Sequence, residues 1–228
     1  MAHADAHIGA VDAPIPYPSY SREERIADAI MHIIGVLGGF ILSYALIAFV
    51  AGQNDPAALF ATLIYCAAVM FSFCVSALYH FTPIEDLRHS FQRWDHAAIF
   101  LKIAGTYTPM VMIIGGDFSF FLLGIVWTLS ILGMVWKVMF WTNPSWRSTA
   151  LYLVLGWLAL LLAYPLIATL PWASSACVGM GALLYTLGSA FYSADKMRFS
   201  MAIWHLCVVL ATGSFMAALW IARASIGA

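Results

Sequence analysis

The feature that most limits the possible folds is a stretch of 47 residues without a formal charge, from Ser148 to Ala194. As a single helix it would be roughly 70 Å long, because an α-helix rises about 1.5 Å per residue. That length is about twice the hydrocarbon thickness of a bilayer. The stretch therefore predicts two membrane crossings, with a turn at Leu170-Pro171-Trp172.

The other charged residues divide the rest of the chain into five more apolar stretches of membrane-spanning length. The composition agrees, because 63% of the residues are apolar and only 9% are charged, whereas about 25% are charged in soluble domains. These stretches are continuously apolar, which excludes the alternating pattern of barrel strands. The sequence thus predicts an all-α, polytopic membrane protein with a seven-transmembrane-helix bundle. Its spans are Ala29 to Asn54, Pro56 to Ile84, about Asp95 to Gly115, Phe118 to Trp136, two within Ser148 to Ala194, and Phe199 to Ala222.

The distribution of lysine and arginine predicts the orientation. Eight of these cations fall on one side of the predicted topology, and the opposite side has one, Arg223. Because cytoplasmic loops retain positive charge, we expect the N-terminus in the cytoplasm and the C-terminus outside. Residues 1–21, with no apolar period, are expected to form a disordered cytoplasmic tail, and 22–228 the membrane domain. A net charge of -1 without a basic run disfavours nucleic acid as a partner. The apolar spans make membrane lipids the expected partners.

A few polar side chains fall at membrane depth, where an ionisable group costs about 3 kcal/mol. Because successive spans run in opposite directions, most of them reach the cytoplasmic third of the bilayer. Each therefore needs a partner or a function. The residues are His32, Ser76, His80, Asp95, His96, Lys102 and His205.

Together, these residue types are suited to metal-assisted hydrolysis. Two imidazoles and a carboxylate, His80, His205 and Asp95, could hold zinc and leave one position for water. Asp95 is also a candidate general base, and Ser76, one turn before His80, could orient a substrate carbonyl. The alternative is structural: each histidine hydrogen-bonds a backbone carbonyl, and Asp95 stabilises a helix N-terminus.

Several motifs resemble those of the bacterial hemolysin III family, which is grouped with the progestin and adipoQ receptors. They are SALYH at 76–80, DHAAI at 95–99, AGTYTP at 104–109, EERIAD at 23–28 with His32, YTLG at 185–188 and IWHL at 203–206. The resemblance implies a seven-helix protein of the bacterial cytoplasmic (inner) membrane. It also implies a zinc site near the cytoplasmic face, and a hydrolase of lipid amides or esters similar to alkaline ceramidases.

The family's site residues carry over with one departure. The resemblance makes His80 and His205 zinc ligands and Asp95 a contact of the zinc-bound water, with Ser76 beside them. The first histidine of the family's H-x-x-x-H pair is here Met201, whose thioether is a weak zinc ligand. Either His32 or His96 replaces it, or Asp95 ligates directly, or the site holds no metal. In the last case the chain is a non-catalytic lipid-homeostasis or receptor-like protein. Cytolysis is implied only by the family's name.

Overall fold

The computed structural model describes residues 20–140, 146–194 and 196–226, and the regular structure in these ranges is helical. Seven of its segments are long and apolar enough to cross a membrane, which confirms the all-α, seven-transmembrane-helix class. The expected tail, 1–21, lies outside the described residues except for Tyr20 and Ser21, and the orientation of the termini stays a prediction. The helices are α1 (Arg22–Ala51), α2 (Pro56–Phe81), α3 (Glu85–Ile114), α4 (Asp117–Met139), α5 (Trp146–Trp157), a 3₁₀ helix (Leu158–Leu162), α6 (Ala163–Thr169), α7 (Trp172–Tyr192) and α8 (Ser200–Ile226).

The first helix begins earlier than the apolar stretch that predicts it. The helix starts at Arg22, whereas the predicted span starts at Ala29. Ser21 caps it, because its hydroxyl accepts from the Glu24 amide over 3.3 Å and the Glu24 carboxylate accepts from the Ser21 amide over 2.9 Å. This reciprocal capping box satisfies two backbone donors. Asp28 is therefore a buried residue within α1. The predicted span excludes it, because that span begins after the last charged residue.

The helices pack as a ring in which the first and last transmembrane helices are neighbours. α1 packs against α2 and α8, α2 against α3, α3 against α4, and α7 against α8. The fifth span, made of α5, the 3₁₀ helix and α6, lies between α3 and α7. A partly open cavity lies between the helices of the ring, and α1, α2 and α8 lie side by side.

Small residues allow close approaches between helices. A Cβ atom on Gly105 of α3 would lie 2.8 Å from the Ala68 Cβ of α2, and one on Gly39 of α1 would lie 2.9 Å from the Phe73 ring. Neither space admits a methyl group without a shift of the neighbouring helix or ring. The Gly35-x-x-x-Gly39 pattern on α1 thus packs against Phe73, in agreement with the close contact that such patterns provide in membranes.

The fifth span is interrupted by its 3₁₀ segment, just before Pro165. A proline ring removes one backbone donor and clashes with the carbonyl four residues earlier, here Leu161, which lies in that segment. Two nearby carbonyls, those of Leu155 and Gly156, accept from the Tyr107 hydroxyl over 3.1 and 2.8 Å. α3 thereby contacts the fifth span just before the position where the backbone of that span changes from α-helix to 3₁₀ helix.

At the end of the bundle opposite to Ser21, a buried arginine joins α8 to the α1–α2 connection. Arg223 Nε donates to Gln53 Oε1 over 2.8 Å, and its Nη2 donates to Asp55 Oδ2 over 3.1 Å. Asp55 also caps α2 by accepting from the Ala58 amide over 3.0 Å. The N-cap hydrogen bond to Ala58 and the nearby Arg223 guanidinium lower the pKa of Asp55 below its usual value of 3.8.

We expect Gly105→Ala to lower the free energy of unfolding by about 1–3 kcal/mol, because the added methyl overpacks the α2–α3 contact. Unfolding of the purified protein in mixed micelles would measure the change. Gly124→Ala on α4 is the matched control, since its Cβ would meet nothing within 4 Å. Equal destabilisation by both variants would contradict this account of the contact.

A lowered carboxyl pKa contributes stability that is present above the unfolded-state pKa and is lost as the pH falls through the folded-state pKa. We therefore expect the wild type to lose more thermal stability between pH 7 and pH 3 than Asp55→Asn does. Melting temperatures at the two pH values would measure this difference. Asp117→Asn, in the first turn of α4, should behave like the wild type. If the melting temperature of Asp55→Asn falls between pH 7 and pH 3 by as much as that of the wild type, Asp55 is not the source of this pH dependence.

Candidate functional site

Three transmembrane helices contribute four side chains to one buried group. α1 provides Asp28 and His32, α2 provides His80 and α8 provides His205. One potential ligand atom from each residue lies within 4.8 Å of the others. Each residue is less than one-tenth exposed. We call these four residues the Asp–His group; it could hold a metal ion.

The Asp28 carboxylate is the hydrogen-bond acceptor at the centre of the group. His205 Nδ1 donates to Oδ1 over 2.6 Å, and His80 Nδ1 lies 3.0 Å from Oδ2. His32 Nδ1 donates to the backbone oxygen of Asp28 over 2.9 Å and lies 3.7 Å from Oδ2. One residue thus orients all three imidazoles through the same ring nitrogen.

The three imidazoles form a compact triangle. The ring centroid of His32 lies 4.2 Å from that of His205 and 4.8 Å from that of His80, and the His80 and His205 centroids are 4.8 Å apart. An imidazole whose Nδ1 carries the proton binds a metal through Nε2, and a carboxylate partner at Nδ1 fixes the ring's orientation. The arrangement therefore has the chemistry of a metal site as well as its residue types.

Local contacts explain why α8 places His205 beside α1. The Glu24 carboxylate, besides capping α1, accepts from the Phe199 amide over 3.0 Å, and Arg198 Nη2 lies 3.6 Å from Glu23 Oε2. Both contacts attach the segment just before α8 to the first turn of α1. His205 then enters the bundle at about the depth of Asp28.

The structure brings the predicted ligands His80 and His205 together. The Ser76 hydroxyl lies 3.4 Å from His32 Nε2. Asp95 lies on α3, outside the Asp–His group. Its Oδ2 is 4.0 Å from His96 Nδ1. The catalytic and ligand roles of Ser76 and Asp95 stay predictions.

Of the histidines considered as replacements for the one absent at Met201, His32 is in the group and His96 is not. His96 Nδ1 donates to the Gln92 carbonyl over 3.0 Å, and its Nε2 lies 3.4 Å from the Tyr192 hydroxyl. Sequence reasoning missed Asp28. The available signal was its spacing, because Asp28 precedes His32 by four residues and so shares its helix face.

Two separate spaces adjoin the Asp–His group. One is a partly open cavity of about 220 Å³ with a mostly apolar lining that includes His32, Ser76, Asp95 and His205. The other is a pocket of about 10 Å³, near the size of one water molecule. It is lined by Tyr20, Glu24, Arg25, Asp28, His80, Phe81, Phe199, Met201 and Ala202.

Comparisons with known proteins agree with the fold and the motifs. A family model described as "Haemolysin-III related" matches residues 20–216. The chain is 35% identical to the "Hemolysin-3 homolog" of Bacillus subtilis (strain 168) over 83% of its own length and 90% of that protein, and 34% identical to "Hemolysin-3" of Bacillus cereus over 82% and 86%. It is 25% identical to the human "Monocyte to macrophage differentiation factor" over 69% and 68%. With seven apolar helices and these relatives, the chain belongs to the Haemolysin-III-related family and is a multi-pass bacterial membrane protein.

Proposed function

We propose that this protein is a metal-dependent hydrolase that cleaves an amide or ester bond of a membrane lipid. The observation that carries the proposal is the Asp–His group, which is buried within the membrane-spanning helices and borders a largely apolar cavity. A site for water-soluble substrates does not need such a cavity. An acyl chain, by contrast, would be stabilised by moving into it.

The donor set favours zinc. Imidazole nitrogen and carboxylate oxygen are common zinc ligands, and sites with three protein histidines are well suited to catalysis. His32, His80 and His205 would hold the ion, and Asp28 would orient their rings through Nδ1. His32 would take the place of the family histidine whose position is occupied here by Met201. When bound, zinc would polarise the substrate carbonyl and lower the pKa of a water molecule.

The side chains around the group support distinct roles in hydrolysis. The Asp95 carboxylate would take a proton from the attacking water and pass it to the leaving nitrogen or oxygen. The bond between that atom and the acyl carbon breaks, and a carboxylic acid is released together with an amine or alcohol. The Ser76 hydroxyl would donate to the carbonyl oxygen as negative charge develops on it.

The two spaces beside the group support separate routes for the two reactants. The apolar cavity would take the acyl chain, and the water-sized pocket beside Asp28 and His80 would supply water. The lysine and arginine distribution favours a cytoplasmic position for this pocket, because eight of these cations lie at its end of the predicted topology. Membrane lipids are then the substrates, in the bacterial inner membrane.

A second candidate function is that of a non-catalytic protein of lipid homeostasis or sensing. The observation in its favour is Met201, which lines the small pocket beside Asp28 and His80. A thioether there supplies a weaker zinc ligand than imidazole. In this case the Asp–His group is a structural hydrogen-bond cluster.

Metal analysis of the detergent-purified protein separates the two candidates. For the hydrolase we expect about one zinc ion per wild-type chain and a loss of most of this zinc in His80→Ala. Asp28→Asn should weaken the zinc affinity about 10–100-fold, because the Asp28 carboxylate orients the histidine rings. His96→Gln is the matched control, because His96 is equally buried but outside the group. If the wild type contains no metal and Met201→His does, the result favours the non-catalytic protein.

Hydrolysis can be measured with a ceramide, which is a lipid amide, and a lysophospholipid, which is a lipid ester, in nanodiscs. We expect the wild type to release fatty acid, and Asp95→Asn to reduce kcat by about 10²–10⁴-fold, as for loss of a general base, without loss of metal. Ser76→Ala should also reduce kcat. Ser72→Ala is the matched control, since Ser72 lies one turn earlier on α2 and also lines the cavity. Equal release by the wild type and Asp95→Asn would disprove the assigned role.

A further inference from the structure

A buried lysine on α3 has no part in the proposed hydrolysis. Lys102 is 6% exposed, and its Nζ has no hydrogen-bond partner among the described residues. From the sequence, a pair of Lys102 with Asp95 through water, or an extension of its side chain along the helix, stays a prediction. Its Nζ lies 4.5 Å from the centroid of the Phe73 ring and 5.4 Å from that of Tyr185. Aromatic faces attract a cation, but they do not neutralise its charge.

Lys102 lines the same cavity as two members of the Asp–His group, His32 and His205. Phe73 and Tyr185, the two rings at its ammonium, also line that cavity. Its volume of about 220 Å³ exceeds that of the ~150 Å³ apolar cavities that admit benzene. This volume is large enough for part of a flexible alkyl chain, and Lys102 is one of the residues that line it.

The ammonium lies apart from the Asp–His group along the bundle. Phe73 precedes Ser76 by three residues and His80 by seven on α2. At about 1.5 Å per residue, these separations are roughly 4.5 and 10 Å along the helix axis. A ligand held by Lys102 is thus deeper in the bundle than a carbonyl oriented by Ser76.

We propose that Lys102 forms an anion-binding subsite for the carboxylate of a single-chain amphiphile whose alkyl chain occupies the cavity. A carboxylate both neutralises the ammonium and accepts its hydrogen bonds, and such charge-assisted bonds are the strong ones in proteins. The acid comes either from the membrane or from the hydrolysis proposed above. The subsite goes beyond that hydrolysis, because binding of an added acid does not require turnover.

Equilibrium binding of radiolabelled dodecanoate to the full-length protein in nanodiscs tests the subsite, with 1-dodecanol as the uncharged competitor. We expect the wild type to prefer the carboxylate, and Lys102→Met to weaken dodecanoate binding about 10–100-fold with little change for the alcohol. Lys102→Arg should retain the preference. Lys137→Met is the matched control, because Lys137 is also buried but hydrogen-bonds Ser148 and does not line the cavity.

Equal affinity of the wild type for the acid and the alcohol would overturn the proposal, and this comparison needs no variant to fold. So would an unchanged preference in Lys102→Met. Metal-stripped protein should still bind dodecanoate; loss of binding there, with retention in Lys102→Met, would assign the carboxylate to the metal instead. A Lys102→Met protein that keeps its zinc but loses the preference supports the subsite independently of hydrolysis.

Fatty acid that co-purifies with the wild type identifies the source. Acid that is equally abundant in Asp95→Asn comes from the membrane, and acid that is lost in this variant comes from the site's own reaction. Both results support the subsite when Lys102→Met carries less acid than Lys137→Met. Equal amounts of acid in these two lysine variants would overturn it.

Discussion

The carboxylate of Asp28 is surrounded by membrane-spanning helices, and its charge has to be compensated within the protein. His205 and His80 do so through contacts of 2.6 and 3.0 Å, and they come from two different helices. These contacts help to fix the order in which α2, α1 and α8 lie side by side. Removing one partner of a buried charge costs about 3–5 kcal/mol, because the other remains without compensation. The Asp–His group is therefore both a candidate metal site and a connection between the two ends of the chain.

Much of the fold could be predicted, because span number depends on apolar length, which is read directly from sequence. Alternating span direction likewise places His80 and His205 at one depth. Depth alone, however, does not show how a helix is rotated about its axis or which helices lie beside it. Asp28 was missed because the predicted first span begins after this charged residue, at Ala29. The capping box of Ser21 and Glu24 instead starts α1 at Arg22, so that Asp28 lies within the helix. The same reasoning left open whether His32 takes part, since its participation depends on α1 lying between α2 and α8.

Hydrolysis of a lipid requires two reactants that prefer opposite environments. The Asp–His group lies where an apolar cavity and a water-sized pocket approach each other, and different members of the group line each space: His32 and His205 the first, Asp28 and His80 the second. In the proposed reaction, the substrate and the water would therefore reach the metal from different sides. The fifth span forms part of the cavity wall, and its 3₁₀ interruption makes it the least regular part of that wall.

The ring arrangement of the helices also has a consequence for biosynthesis. Asp28 and His32 belong to α1 and His205 to α8, so the ribosome releases Asp28 and His32 well before His205. Until α8 has inserted, the Asp28 carboxylate lacks one of its two closest imidazole partners. A nascent chain arrested before α8 would carry an incomplete Asp–His group, so under the proposed function the metal would be bound only after α8 has inserted.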